Sequence, residues 1–212
     1  MSQTLSEILT DANATLDLEA ALPSGDELTL RQNYANQALE DATGVAQFSE
    51  FDVVYETNVA TLATIPLPSN FRELKTNPRL LDSTGEWQEY GEILPHDKYN
   101  YLPADRYCFV LGNPSEGYYL YINNVISGAT LSVVYQRYPS GMATLTDVCE
   151  LSDSTYVTRK IESYVLYSRG DERLSIAEAR AEQRLQNMVG RDMKTPGGGA
   201  RRTPSGFKNP LS

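Results

Sequence analysis

Residues 129–141, ATLSVVYQRYPSG, mark the point where the chain changes from the pattern of β-strands to that of helices. The first ten residues are rich in β-branched and tyrosine side chains, which favour strands. Pro139-Ser140-Gly141 then ends the strand, because proline has no N–H to donate and glycine favours turns. From about residue 152 onward, apolar side chains recur at the three-and-four spacing of a helix.

Two further strand-like runs precede this stretch. They are YCFVL (107–111) and YYLYI (118–122), and turn-forming residues separate them from each other and from residue 129. Short strands joined by tight turns favour antiparallel neighbours, so we predict an antiparallel meander of these three runs.

Closer to the N-terminus the β pattern is less regular. Apolar side chains alternate between Phe51 and Ile65, which predicts strands. Residues 69–106 contain frequent turn dipeptides, so we predict a loop-rich segment there with a short strand around residues 87–93. The predicted β region spans about 51–138.

Both flanks of the β region are predicted to be helical. One helix covers residues 4–20, and a second covers about 26–43 and is ended by Gly44. The second helix is predicted to bury Leu28, Leu30, Tyr34, Ala38 and Leu39. A third helix begins at the N-cap candidates of residues 152–154 and is interrupted by Gly170. Ser175-Ile-Ala-Glu178 then has the capping-box pattern, which either restarts the helix or occurs by chance in a continuous one.

These elements predict an α+β fold. A helical bundle is expected from the N- and C-terminal helices (about 4–43 and 153–189), since each apolar stripe needs a partner. The antiparallel β element is inserted between them, and residues 190–212 form an extended C-terminal arm. We predict that residues 1–189 are a single domain.

The C-terminal arm, GRDMKTPGGGARRTPSGFKNPLS, differs from the rest of the chain in charge and composition. Residues 1–189 hold 13 basic and 27 acidic side chains, a net of −14, whereas the arm has five basic and one acidic. An acidic body should repel nucleic acid, while a basic arm suits an acidic partner surface. The arm has too little apolar surface to offset its ordering entropy, so we expect it to order on a partner.

The residues that usually carry catalysis or metal binding are scarce. The only histidine, His96, lies between Pro95 and Asp97 in a predicted loop, and no phosphate-binding or nucleophile-elbow motif occurs. Cys108 and Cys149 have no neighbours of metal-ligand type and are expected to pack as buried thiols. We therefore expect no catalysis, no cofactor and no metal. We also expect no membrane association and no signal peptide.

Two features invite a functional interpretation. Tyrosines cluster in the strand-like runs, where they could form a platform for bases or sugars, although strands favour tyrosine for packing alone. They are Tyr107, Tyr118, Tyr119, Tyr121, Tyr135 and Tyr138. Arg169-Gly170-Asp171 spells an adhesion tripeptide, but it falls in a predicted helix or its kink, so we interpret it as a chance match.

The order of elements resembles a known family. IPLPSNFRELK (65–75) is similar to a strand-end motif of tailed-bacteriophage head-to-tail adaptor proteins, which are also called connector or head-completion proteins. VVYQRYP (133–139) is similar to the aromatic, basic and proline signature that ends the family's β-ribbon. The helical stretches at 149–168 and 176–189 follow in the family's order, and the resemblance covers about residues 26–190.

This resemblance implies a structural virion protein of the neck, assembled in the host cytoplasm. It implies a homo-oligomeric ring, commonly of twelve subunits, that joins the capsid portal protein to a tail or nozzle protein and lets DNA pass without specific binding. The arm would bind the portal, and the helical bundle would pack subunits together. The candidate portal-binding residues are Arg191, Lys194, Arg201, Arg202, Phe207 and Lys208. The candidate subunit-packing residues are Leu5, Ile8, Leu9, Ile161, Val165 and Leu185.

Two other classes of function stay open at this point. A carbohydrate- or ligand-binding structural module of a phage tail would use the tyrosine-rich strands and should expose an aromatic cleft. An enzyme that works without histidine would need a pocket with convergent polar groups.

Overall fold

The computed structural model describes residues 3–16, 21–59 and 64–193. The chain divides into two compact units. The helical unit combines residues 1–50 with residues 139–212, and the β unit comprises residues 51–138. This confirms the α+β class, with helices from both flanks of the sequence in one unit and an antiparallel-rich β element inserted between them. That residues 1–189 behave as a single domain stays a prediction.

The helical unit contains four α-helices among the described residues, and α3 contacts each of the other three. Buried apolar side chains on all four helices form its core. The helices are α1 (Leu5–Thr15), α2 (Gly25–Val45), α3 (Thr155–Arg169) and α4 (Leu174–Asp192). The N-terminal helices therefore pack on a helix from the far end of the sequence, as predicted.

Helix α1 begins at a capping box that the sequence analysis missed. The backbone N–H of Glu7 donates to Oγ1 of Thr4 at 3.3 Å, and the N–H of Thr4 donates to Oε2 of Glu7 at 2.8 Å. Two backbone donors of the first turn are thus satisfied by side chains, which fixes the start of the helix.

The predicted buried face of α2 was partly wrong. Leu30 is 45% exposed, whereas the neighbouring Arg31 is 1% exposed. The Arg31 guanidinium donates to Oδ1 of Asn13 at 2.8 Å and to Oε1 of Glu27 at 2.7 Å. These bonds compensate the buried charge, so the helix turns this arginine inward. Gly44 lies inside the helix, which ends at Val45.

The break between α3 and α4 lies at Gly170, as predicted. Its φ of 64° is left-handed, and its N–H donates to carbonyl oxygens in the last turn of α3. Of the two alternatives for the pattern at Ser175, the structure shows a chance match, because α4 begins at Leu174 and its N-cap, Arg173, has no side-chain cap bond. Asp171 of the tripeptide accepts hydrogen bonds from Arg173 at this turn, which gives it a structural partner.

The β unit contains nine strands among the described residues, in two sheets. The strands are β1 (Asp52–Asn58), β2 (Thr64–Pro66), β3 (Phe71–Leu74), β4 (Arg79–Leu81), β5 (Trp87–Glu89), β6 (Gly91–Glu92), β7 (Tyr107–Asn113), β8 (Gly117–Ile122) and β9 (Thr130–Arg137). One sheet has the order β1-β9-β4-β5, with β3 also on β9, and the other has the order β2-β8-β7-β6. Only β6 and β7 pair in parallel. Two 3₁₀ turns, Ser49–Phe51 and Pro95–Asn100, complete the described elements.

The predicted meander was wrong in its last strand. Strands β7 and β8 form the expected hairpin, but β9 leaves that sheet and pairs with β1, with Tyr55 opposite Val133. The side chains of Leu131, Val133 and Tyr135 are all at most 2% exposed. A strand with so apolar a face is buried most completely at the centre of a sheet, and β9 has β1 on one side and β3 and β4 on the other.

The hairpin of β7 and β8 depends on a glycine. Gly112 has φ of 110°, and a Cβ at this position would lie 2.1 Å from the carbonyl oxygen of Gly117. Any other residue would force the two strands apart at their tip.

The prediction of a loop-rich segment at 69–106 was also wrong in part. Strands β3, β4, β5 and β6 lie there, and β3 and β4 hydrogen-bond to β9 in the first sheet. These strands have two to four residues each, too short for alternation to be visible in the sequence. The expected strand around 87–93 is present as β5 and β6.

Candidate partner-binding surface

The last turn of α4 is the last described helical turn before the C-terminal arm, and two hydrogen-bonded contacts hold it. The backbone N–H of Ser49 donates to Oδ1 of Asp192 at 3.1 Å, and the hydroxyl of Ser49 donates to the same oxygen at 2.5 Å. Arg191 donates from Nη2 to Oδ2 of Asp153 at 2.9 Å. We call this pair of contacts the arm root. It fixes the position of Arg191 and Asp192 at the end of α4.

Asp153 is the acidic centre of the arm root. It lies two residues before α3, and its side chain is 11% exposed. Burial alone would raise its pKa, but hydrogen bonds from Thr155 and Arg191 and the charge of Arg184 at 3.8 Å together lower the pKa below its usual value. Asp153 therefore stays ionised at neutral pH and keeps both cations of α4 close to the start of α3.

The structure describes one of the six candidate portal-binding residues. Arg191 is on α4, and its side chain is 62% exposed while it contacts Asp153. Lys194, Arg201, Arg202, Phe207 and Lys208 lie outside the described residues. Their role in portal binding stays a prediction, and the arm root gives the position from which they would act.

The six candidate subunit-packing residues are all buried inside the helical unit. Leu5, Ile8, Leu9 and Ile161 are 0% exposed, and Val165 and Leu185 are 4% and 3% exposed. In the single chain these side chains hold α1, α3 and α4 together. Their part in subunit packing stays a prediction. Because they have almost no accessible surface, they would contribute to it indirectly, by maintaining the helix packing that shapes the surface of the helical unit.

A second polar cluster joins α2 to α3 and was missed by the sequence analysis. The hydroxyl of Tyr164 donates to Oδ2 of Asp41 at 2.5 Å, and Nζ of Lys160 lies 3.4 Å from the same oxygen. Burial and the Asp41 carboxylate raise the pKa of the Tyr164 hydroxyl, so it acts as a donor at physiological pH. No sequence signal marks this cluster, since Asp41 is more than a hundred positions from Lys160 and Tyr164.

Three aromatic rings on β7 and β8 and one from the segment after the 3₁₀ turn Pro95–Asn100 form a row in the β unit. We call Tyr101, Tyr107, Phe109 and Tyr121 the aromatic ladder. Ring centroids lie 5.2 Å apart for Tyr101 and Tyr107, 6.4 Å for Tyr107 and Tyr121, and 4.5 Å for Phe109 and Tyr121. Tyr107 and Phe109 are only 7% and 4% exposed. Ring-on-ring packing therefore accounts for most of this surface.

Three of the other predicted tyrosines lie near one another, since Tyr118 and Tyr135 both pack against Phe71 and Tyr118 hydrogen-bonds with Tyr138. Tyr135 is 2% exposed, and its hydroxyl donates to Asn70, while Tyr118 packs against Phe71. Tyr119 and Tyr138 are 41% and 42% exposed. The structure thus divides the set between core, ladder and surface.

The described residues hold no group of three or more histidine, cysteine or acidic side chains that could bind a metal ion. His96 is on the surface with its side chain 76% exposed. Cys108 and Cys149 are buried thiols, as predicted, and burial raises the pKa of Cys149 to about 11. In the described part of the chain, no helix has the length and apolarity needed to cross a membrane.

A comparison with models of protein families matches the family described as SU10 adaptor protein over residues 3–205. Because the match spans almost the whole sequence, the chain belongs to the SU10 adaptor protein family. This confirms the resemblance to phage head-to-tail adaptor proteins, and it gives the protein a structural adaptor role in a phage virion. A search of curated proteins found no match.

Proposed function

We propose that this SU10 adaptor protein forms a homo-oligomeric ring in the virion neck, where it joins the capsid portal to the tail and continues the DNA channel. The observation that carries the proposal is the family match over residues 3–205. We assign the ring twelve copies, as in the adaptor proteins that the sequence resembles, and place its assembly in the host cytoplasm.

The helical unit and the arm are assigned to the portal side. The arm root holds the start of the arm through Asp153 and Ser49, so portal contacts made by the arm would be transmitted to α3 and α4. Arg201 and Arg202 can form charge-assisted hydrogen bonds, and Phe207 can fill an apolar pocket. Arms from every subunit would act together, because attachment of one arm holds the others at high effective concentration.

We assign the binding of a tail or nozzle protein to the β unit. Its segment 76–106 carries large apolar side chains that the chain itself leaves exposed. Tyr99 is 83% exposed, Leu102 is 69% exposed and Trp87 is 50% exposed. Exposed side chains of this kind are typical of surfaces that bind another protein.

The acidic body suits a channel for DNA. With a net charge of −14 over residues 1–189, the body repels phosphate groups and would let DNA pass without specific binding. We assign the protein no catalytic activity and no cofactor, because a structural adaptor role needs neither.

The alternative of a carbohydrate- or ligand-binding module is less well supported. Such a module needs exposed rings on which a ligand can stack, and the central rings of the aromatic ladder are buried. The ladder therefore favours a packing role in the β unit.

Electron microscopy of the protein co-expressed with the portal protein tests the proposal directly. We expect rings of twelve copies seated on one end of the portal, with a continuous central channel. Portal expressed alone is the control for densities that belong to the portal itself. A protein that stays monomeric beside assembled portals, or that forms no ring on them, would contradict the proposal.

A further inference from the structure

Helices α1 and α3 border a groove of about 920 Å³ on the helical unit. Its lining comes from one side of α1 and from the beginning of α3, and most of the lining side chains are polar. Along α1 the groove follows residues 3–15, a distance of roughly 18 Å at the rise of an α-helix. A groove of this length suits an extended segment of about five or six residues.

The charge of the groove is acidic. Glu7 and Asp11 line it from α1 and are exposed, and Asp153 lines its end near the start of α3. The basic side chain in the lining, Arg159, donates to Glu162 at 2.8 Å, so its charge is already balanced by a carboxylate. The exposed carboxylates of Glu7 and Asp11 would therefore attract a basic segment along α1, whereas Asp153 is already paired with Arg191 and Arg184.

The arm root lies at one end of this groove. Asp153, which binds Arg191, is itself part of the lining. At the same end, the hydroxyl of Ser154 donates to Oε1 of Gln3 at 2.6 Å, and Nε2 of Gln3 donates to Oδ2 of Asp11 at 2.6 Å. The last turn of α4 thus contacts this end of the groove through Arg191.

We propose that residues 194–202 of the arm dock in the α1/α3 groove of their own chain when no partner is bound. This part of the arm contains Lys194, Arg201 and Arg202 and no acidic residue, so its charge complements that of the groove. Its three consecutive glycines, Gly197 to Gly199, let backbone approach the helices closely. Six residues lie between Met193 and Ala200, so the two positions are seven residue steps apart and can be about 23 Å from each other when the chain is extended. The arm can therefore reach along the full groove.

This docking goes beyond the proposed function, since it concerns the protein before it meets the portal. It would hold the arm next to the body until a partner surface competes for the same basic side chains. The groove would then bind the arm in the free protein, and the arm would have to dissociate from the groove before it binds the portal.

Site-specific cross-linking tests the proposal in the full-length protein. Ala14 lines the groove and is exposed, and Ala200 directly precedes the two arginines. The double variant Ala14→Cys, Ala200→Cys would be treated with a short bismaleimide. Both native cysteines are buried, which protects them from the reagent in the folded protein. The matched control is Ala179→Cys, Ala200→Cys, because Ala179 is exposed on α4, roughly 21 Å along the helix from Met193.

We expect the Ala14 pair to form an intramolecular cross-link about tenfold faster than the Ala179 pair, because docking raises the effective concentration of the two thiols. At 1 M salt, where charges are screened over about 3 Å, this advantage should largely disappear. Equal rates for the two pairs would overturn the proposal. Covalent dimers in place of the intramolecular product would also overturn it, since they would assign the groove to the arm of another copy. Neither result bears on ring formation, which is measured separately by microscopy with the portal.

Discussion

Asp192 and Ser49 are 143 positions apart in the sequence, and one carboxylate oxygen of Asp192 accepts both the backbone N–H and the hydroxyl of Ser49. The contact connects the last turn of α4 to the segment that follows α2. It holds the end of α4 against residue 49, next to the start of the C-terminal arm.

Removal of the Ser49 hydroxyl should weaken the helical unit. The variant Ser49→Ala keeps the backbone donor and loses the 2.5 Å hydroxyl bond to Asp192. We expect the free energy of unfolding to fall by about 1 kcal/mol, as for a hydrogen bond to a charged group that is half-buried. Urea denaturation measures this difference. Ser83→Ala, at an exposed position between β4 and β5, is the control and should be neutral. Equal stability of both variants would show that the bond contributes nothing.

The two capping-box patterns of the sequence should behave differently on substitution. Thr4→Ala removes a side chain that caps α1 and should cost about 1 kcal/mol of stability. Ser175→Ala lies inside the first turn of α4 and should be neutral or slightly stabilising, because alanine favours helices. Thermal melts of the two variants test this comparison. A larger fall in melting temperature for Ser175→Ala than for Thr4→Ala would show that Ser175 caps α4 and that the helix does not begin at Leu174.

Acid should weaken the arm root through Asp153. The pKa of this carboxyl is lower in the folded protein than its unfolded value of about 3.9. Its ionised form therefore adds stability above pH 4, and this contribution is lost as the pH falls through the folded pKa. The variant Asp153→Asn should be less stable than the wild type at pH 7 by about 1–2 kcal/mol, and the difference should shrink towards pH 2. Urea titrations between pH 7 and pH 2 measure the stability difference between the two proteins. A difference that did not change with pH would refute the lowered pKa of Asp153.

The body of the protein should not bind DNA. A chain truncated after Met193 keeps Arg191 and Asp192, so its net charge remains −14. We expect no measurable shift of duplex DNA at moderate salt, because phosphate groups are repelled by an acidic surface. The full-length chain, with its basic arm, is the comparison. A salt-sensitive gel shift by the truncated chain would contradict the proposal that the acidic body lets DNA pass without binding it.

The arm should be needed for attachment and dispensable for folding. Deletion of residues 195–212 keeps the arm root and all contacts described for the helical unit, so the melting temperature should change little. Stable docking to the portal should be lost, since the deletion removes Arg201, Arg202 and Phe207. The double change Arg201→Glu, Arg202→Glu should weaken docking in a salt-dependent manner. Pull-down with the portal beside thermal melts tests both expectations, and full docking by the truncated chain would end the proposal.

The sequence predicted the class of each long element because that information is local. Spacing of three and four marks α1, α3 and α4, alternation marks β1, and runs of β-branched and aromatic residues between turn residues mark β7, β8 and β9. Gly170 could be recognised as a helix end since glycine adopts the left-handed conformation without strain. The order of motifs was also sufficient for the family resemblance, which the match over residues 3–205 confirmed.

The partners of these elements were decided by the tertiary structure. Nothing local to β9 distinguishes β8 from β1 as its neighbour, and the choice follows from where its apolar face is buried most completely. Arg31 is inward and Leu30 is outward because Asn13, on another helix, supplies the bond that makes a buried guanidinium acceptable. The arm root likewise depends on Ser49 and Asp153, which only folding brings to α4. Periodicity specifies which residues share a face, whereas the surface that this face meets depends on the rest of the chain.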